Sequence, residues 1–68
     1  MVISDFTKPE LDYFRENCNF VNYEIIVFNE RANGVPLERI AEQLNISYDY
    51  VRHLSRKVNK KIISVLLN

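Results

Sequence analysis

The sequence predicts an all-α fold of four helices in one domain, residues 1–68. Hydrophobic residues make up 47% of the chain, and one glycine with two prolines leaves little material for a turn-rich β structure. Apolar residues recur at helical spacing in four segments, and residues typical of helix ends flank these segments. We expect the helices at about 8–18, 22–32, 37–44 and 48–66.

The first helix has a clear start signal. Thr7 and Glu10 have the spacing of a capping box, and Pro9 suits the first turn. Behind this cap the apolar residues of one inward stripe are Leu11, Phe14 and Cys18. The single cysteine is therefore expected to be a small buried hydrophobe rather than a reactive thiol.

The second helix is apolar around most of its circumference. Residues 25–28 read Ile-Ile-Val-Phe, which predicts a helix sandwiched between the first helix and the later ones. Asn33 and Gly34 follow it and supply a left-handed C-terminal turn.

The third and fourth helices and the corner between them have the pattern of a helix-turn-helix. Two helices that cross within a short turn need a small residue where their backbones approach and a residue that tolerates a left-handed conformation. An apolar plug, an N-cap and two inward aliphatic residues complete the pattern. The residues that fit are Ala41, Asn45, Ile46, Ser47, Val51 and Leu54. The inner stripe of the fourth helix continues through Val58, Ile62 and Val65.

The chain has no net charge, but its charges are segregated. Residues 1–46 carry four basic and eight acidic groups, whereas residues 47–68 carry five basic groups and only Asp49. Long cationic side chains on the outer face of a helix-turn-helix's second helix suit the major groove of double-stranded DNA. The candidate DNA-binding residues are Tyr48, Asp49, Tyr50, Arg52, His53, Arg56, Lys57, Lys60 and Lys61.

Within this set, position along the helix suggests different roles. Side chains in the first two turns are expected to reach base edges, while Lys57, Lys60 and Lys61 lie further on and are expected to meet phosphates. Tyr48 is open to two interpretations, since it either contacts DNA or packs partly into the core.

Residues 20–62 resemble the fourth conserved region of bacterial sigma factors, the module that reads an upstream promoter element. The resemblance rests on "EIIVFNER" at 24–31, "GVPLERIAEQLNIS" at 34–47 and "VRHLSRKVNKKI" at 51–62. The DNA-binding domain of quorum-sensing response regulators is similar. The resemblance implies that base-reading and backbone-contacting positions are held by Tyr48, Asp49, Tyr50, Arg52, His53 and Arg56. A sigma factor also needs a separate module that melts DNA, and 68 residues leave no room for one. We therefore expect a stand-alone protein similar to this region rather than a sigma factor.

Two functions follow from these observations. The first is a small sequence-specific DNA-binding regulator of transcription, and the alternative is an adapter that docks on RNA polymerase or on a sigma subunit. Catalysis is not expected, because His53 is the only histidine and no glycine-rich phosphate loop occurs. We expect no metal or cofactor, no membrane contact, no signal peptide and a cytoplasmic location.

The end of the fourth helix does not fit a DNA-binding face. Beyond Lys60 the outer side becomes apolar, with Ile63, Leu66 and Leu67. Either the N-terminal residues Val2, Ile3 and Phe6 fold back over them, or they form a homodimer interface.

Overall fold

The computed structural model describes residues 1–67, and Asn68, the last residue of the predicted domain, lies outside the described residues. A short 3-10 turn, Ile3–Asp5, precedes four α-helices. These are α1 (Lys8–Asn17), α2 (Tyr23–Ala32), α3 (Leu37–Leu44) and α4 (Tyr48–Leu67). No strand occurs within this range, and the prediction of an all-α fold with four helices is confirmed.

Local hydrogen bonds set the ends of the first two helices. The Thr7 hydroxyl accepts from the backbone N–H of Glu10, and the Glu10 carboxylate accepts from the backbone N–H of Thr7, so the capping box is complete. Just after the C-terminal end of α2, Gly34 takes a φ of 81°. The N–H of Val35 then donates to the Glu30 carbonyl at 3.0 Å, which stops the helix.

The core lies along the inner stripe of α4. Val51, Val58 and Ile62 have no exposed surface, and α1, α2 and α3 all pack against this helix. The molecule measures 33 × 18 × 18 Å. An α-helix of 20 residues is about 30 Å long, so α4 extends along nearly the whole molecule.

Aromatic rings fill the space between α1 and α2. The Phe14 ring lies 4.9 Å from that of Phe6 and 6.5 Å from that of Phe28, both edge to face. Phe20 lies 4.7 Å from Phe28 on another side. The inward stripe predicted for α1 is confirmed, since Phe14 and Cys18 are buried.

The neighbouring helices leave one apolar position of α2 uncovered. Val27 and Phe28 are fully buried, but Ile26 keeps 37% of its surface exposed. The 3-10 turn packs on α2 through the buried Ile3, and neither it nor the other helices cover Ile26. One apolar side of α2 therefore remains open to solvent.

Candidate nucleic-acid interface

Three residues, Asn45–Ser47, connect α3 to α4. Asn45 adopts a left-handed conformation with φ 56° and ψ 45°. The N–H of Ile46 donates to the Ala41 carbonyl at 3.1 Å, and the N–H of Asn45 donates to the Glu42 carbonyl at 3.3 Å. These two bonds close the last turn of α3, and asparagine tolerates the left-handed conformation better than most residues.

Packing on both sides of this corner holds the two helices together. Ala41 keeps only 7% of its surface exposed, and Ile46 is half-buried beside it. Leu54, on the inner side of α4, is also buried. The Ser47 hydroxyl accepts a hydrogen bond from the N–H of Tyr50 at 3.1 Å, which is the geometry of an N-cap.

A row of four cationic side chains and one histidine covers the outer face of α4. Its exposed members are Arg52, His53, Arg56, Lys57 and Lys60. They lie on the side away from the buried stripe, because their positions fall between the inward residues in the helical repeat. We call these five residues the basic face.

The first turn of α4 holds a small cluster of side chains. The Arg52 guanidinium lies 5.8 Å from the centre of the Tyr48 ring, and one of its nitrogens is 3.8 Å from the Asp49 carboxylate. Both charged groups face water, so this ion pair contributes little free energy and leaves Arg52 free to change partner. Tyr48 and Tyr50 keep 42% and 45% of their surface exposed, which decides against packing of Tyr48 in the core.

Lys61 does not belong to the basic face. Its ammonium group forms an ion pair with the Glu24 carboxylate at 2.5 Å and donates to the Asn19 carbonyl at 2.9 Å. The side chain is 31% exposed, whereas the Glu24 side chain is 6% exposed. This position does not suit the expected phosphate contact, and Lys61 instead ties α4 to the start of α2.

The buried partner of Lys61, Glu24, was not predicted from the sequence. Burial alone would raise the pKa of its carboxyl, but hydrogen bonds from Lys61 and from the Val21 N–H and the charges of Lys61 and Lys57 lower it overall. Glu24 is therefore ionised at neutral pH inside the fold. A carboxylate directly before the apolar run at 25–28 was the sequence signal for such a buried pair.

The open side of α2 forms a groove with the start of α4. Asn22, Tyr23, Ile26 and Tyr50 line it, and its volume is about 400 Å³. The sequence did not predict this groove, because its presence depends on which side of α2 the other helices leave uncovered. We call it the α2 groove.

The last turns of α4 are exposed as well as apolar. Ile63, Leu66 and Leu67 keep 46%, 56% and 81% of their surface exposed. The N-terminal segment does not cover them, since its 3-10 turn packs on α2. Of the two alternatives raised by the sequence, the fold-back is therefore not the one adopted.

Other kinds of site find little support in residues 1–67. No three His, Cys, Asp or Glu side chains of this range come together in a way that suits a metal ion. Likewise, none of the helices described has the length and hydrophobicity needed to cross a membrane. Comparison with models of protein families, with curated proteins and with solved structures found no match.

Proposed function

We propose that this protein is a small sequence-specific DNA-binding regulator of transcription, in which α3 and α4 form a helix-turn-helix and α4 enters the major groove. The observation that carries the proposal is the basic face, four exposed cationic side chains and one histidine on the helix that follows a tight corner. An α-helix fits the major groove, and arginine pairs there with guanine through two hydrogen bonds.

The two parts of α4 take different roles in this proposal. Arg52 and His53 lie in the first two turns, where side chains reach base edges. Lys57 and Lys60 lie further along and neutralise phosphates, which adds affinity without sequence information. Asp49 suits a cytosine amino group, and the Tyr48 ring lies beneath the Arg52 guanidinium at the base-reading end of the helix.

Selection of bound fragments from a random DNA pool tests this proposal directly. A single enriched sequence is expected, and binding to that sequence should weaken steeply with salt. With three to five phosphate contacts, the slope of log affinity against log salt is about −3 to −5. Recovery of no enriched sequence would contradict sequence-specific binding.

Arg52→Ala separates base reading from general charge. We expect specific affinity to fall by about 1–3 kcal/mol, because a guanine contact is lost. Lys8→Ala is the matched control, since it removes the same charge from an exposed side chain on α1. Equal losses for the two variants, measured by fluorescence anisotropy on the selected site, would exclude a base contact by Arg52.

The second candidate is an adapter that docks on RNA polymerase or a sigma subunit, and the α2 groove favours it. An open apolar groove with two tyrosines is typical of a protein-binding surface. In a pull-down with purified polymerase, Ile26→Glu should abolish capture, while Val2→Glu, at an exposed apolar position that does not line the groove, should not. Polymerase capture without DNA selectivity would favour the adapter over the regulator.

A further inference from the structure

An exposed apolar surface spans the end of α4 and the neighbouring side of α1. Leu66 shares an open groove of about 240 Å³ with Pro9 and Tyr13, and the buried Phe14 also lines it. Tyr13 keeps 53% of its surface exposed. We call the surface formed by Tyr13, Ile63, Leu66 and Leu67 the terminal patch.

The two helices that border the terminal patch run antiparallel. Leu66, near the end of α4, lies beside Pro9 at the start of α1. Five residues earlier in α4, Lys61 donates to the carbonyl of Asn19, just beyond the end of α1. The patch therefore has one long edge formed by α1 and one formed by α4.

The two edges carry opposite charges. Glu16 is exposed on α1, three residues after Tyr13 and so on the same side of that helix. Lys60 is exposed on α4, three residues before Ile63. Because α1 and α4 run antiparallel, Glu16 and Lys60 both lie toward the same end of the patch.

This pattern is self-complementary under two-fold symmetry. An axis parallel to α1 and α4 lays α1 of one copy against α4 of the other, so that Tyr13 meets Ile63 and Leu67 while Glu16 meets Lys60. An axis perpendicular to the helices would instead lay α4 on α4 in opposite directions and place Lys60 over the apolar end of the partner's patch, where its charge meets no carboxylate. The charges thus favour a second copy of this chain in one orientation.

We propose that the protein forms a two-fold homodimer through the terminal patch, with α1 of each copy on α4 of the other. The N-terminal segment is not available to cover the patch, because Ile3 is buried against α2. The proposed contact uses the last two turns of α4 together with Lys60, which in the dimer pairs with Glu16 in place of a phosphate. It leaves the first two turns, with Arg52 and His53, free for DNA. Added apolar burial also stabilises a chain of 68 residues, which buries a modest share of its own surface.

Sedimentation equilibrium of the protein alone tests the dimer. The unaltered chain is expected to sediment as a dimer at about 100 µM, a range in which even weak dimers populate. Leu67→Glu and Tyr13→Glu should each weaken dimerisation by at least about tenfold, because a buried unpaired charge opposes association. Val2→Glu is the control and should leave the dimer intact, because Val2 is an exposed apolar residue, 51% exposed, that is not part of the terminal patch.

A charge exchange tests the orientation. Glu16→Lys and Lys60→Glu should each weaken the dimer, and the double variant should recover part of the loss, since it restores the opposite pair. All these positions are exposed, and far-UV circular dichroism checks that the variants fold.

A monomer at 100 µM, or a dimer insensitive to Leu67→Glu and Tyr13→Glu, overturns the proposal. No recovery in the double variant overturns the orientation. Because no DNA is present, these outcomes are independent of DNA binding.

Discussion

At the residue scale, the ion pair with Glu24 makes Lys61 a contributor to fold stability, whereas the side chains of the basic face stay exposed. Glu24 accepts from the Lys61 ammonium and from the N–H of Val21, at 2.5 and 3.1 Å. The Glu24 carboxylate therefore links the turn that begins α2 to the second half of α4. Breaking a partly buried pair of this kind leaves a charge without a partner, which is the costly outcome.

Glu24→Gln should destabilise the fold at neutral pH by about 1–3 kcal/mol, less than for a fully buried pair because Lys61 keeps part of its hydration. The folded state lowers the pKa of Glu24, so its contribution is present above the ordinary glutamate pKa of about 4.3 and is lost as the pH falls through the folded-state pKa. Urea denaturation from pH 7 to pH 3 measures both effects.

The variant should show a weaker loss of stability on acidification than the unaltered chain. Glu38→Gln, at an exposed position on α3, is the control and should reproduce the unaltered profile. If Glu24→Gln retains the full acid dependence, other carboxylates are responsible for it.

Backbone strain is stored at Asn22, next to the α2 groove. The N–H of Glu24 donates to the Val21 carbonyl at 2.9 Å across a tight turn, and Asn22 within it has φ 52° and ψ −128°. These angles suit the first central position of a type II′ turn, which glycine normally occupies. A non-glycine residue held there costs about 1–3 kcal/mol.

Asn22→Gly should raise the free energy of unfolding by about 1 kcal/mol, since relief of strain exceeds the added chain entropy. Asn45→Gly is a matched control, because Asn45 has the ordinary left-handed conformation that asparagine tolerates. Its effect should be smaller. Thermal or urea unfolding of both variants makes the comparison, and a destabilised Asn22→Gly variant would show that no strain is released.

At the scale of secondary-structure elements, local contacts at the corner set the residue at which α4 begins. Ser47 accepts from the N–H of Tyr50, and the left-handed Asn45 ends α3 two residues before. The direction in which α4 leaves the corner, and with it the direction of the basic face, follows from these local contacts.

Ser47→Ala should destabilise the protein by about 1 kcal/mol, the usual cost of removing an N-cap. The loss should be concentrated at the first turn of α4, so hydrogen exchange of the amides at 49–51 should accelerate most. Ser64→Ala, at an exposed position inside the same helix, is the control. A similar response to both changes would mean that Ser47 contributes nothing as a cap.

At the scale of the whole molecule, α1, α2 and α3 all pack against the buried stripe of α4, which forms the centre of the core. Cys18 belongs to this core with 5% of its surface exposed. Burial raises the pKa of its thiol, although the charge of Lys61 opposes the change. The thiol therefore stays protonated at neutral pH and unreactive until the fold opens.

Labelling of Cys18 by a thiol reagent should thus follow global unfolding. Ile62→Val removes one methylene from a fully buried position and costs about 1 kcal/mol, so labelling should accelerate about fivefold. Ile26→Val makes the same chemical change at a position that is 37% exposed and should change the rate little. Equal rates in both variants would indicate that local opening, not global unfolding, exposes the thiol.

The sequence by itself determined the four helices and their ends. The caps at Thr7 and Ser47 and the left-handed turns at Gly34 and Asn45 involve neighbours within a few residues, so their geometry is written into local spacing. The buried stripe of α4 was also predictable, because a 3.6-residue period assigns each side chain to a face.

Only the tertiary structure decided which charged side chains form an ion pair inside the fold and which apolar side chains stay exposed to solvent. Glu24 and Lys61 lie 37 residues apart, and no local pattern brings them together. The same holds for Ile26 and for the terminal patch, whose exposure depends on where α1 and the N-terminal turn dock. Helical spacing fixes the face on which a residue lies, but the crossing of distant helices fixes what covers that face.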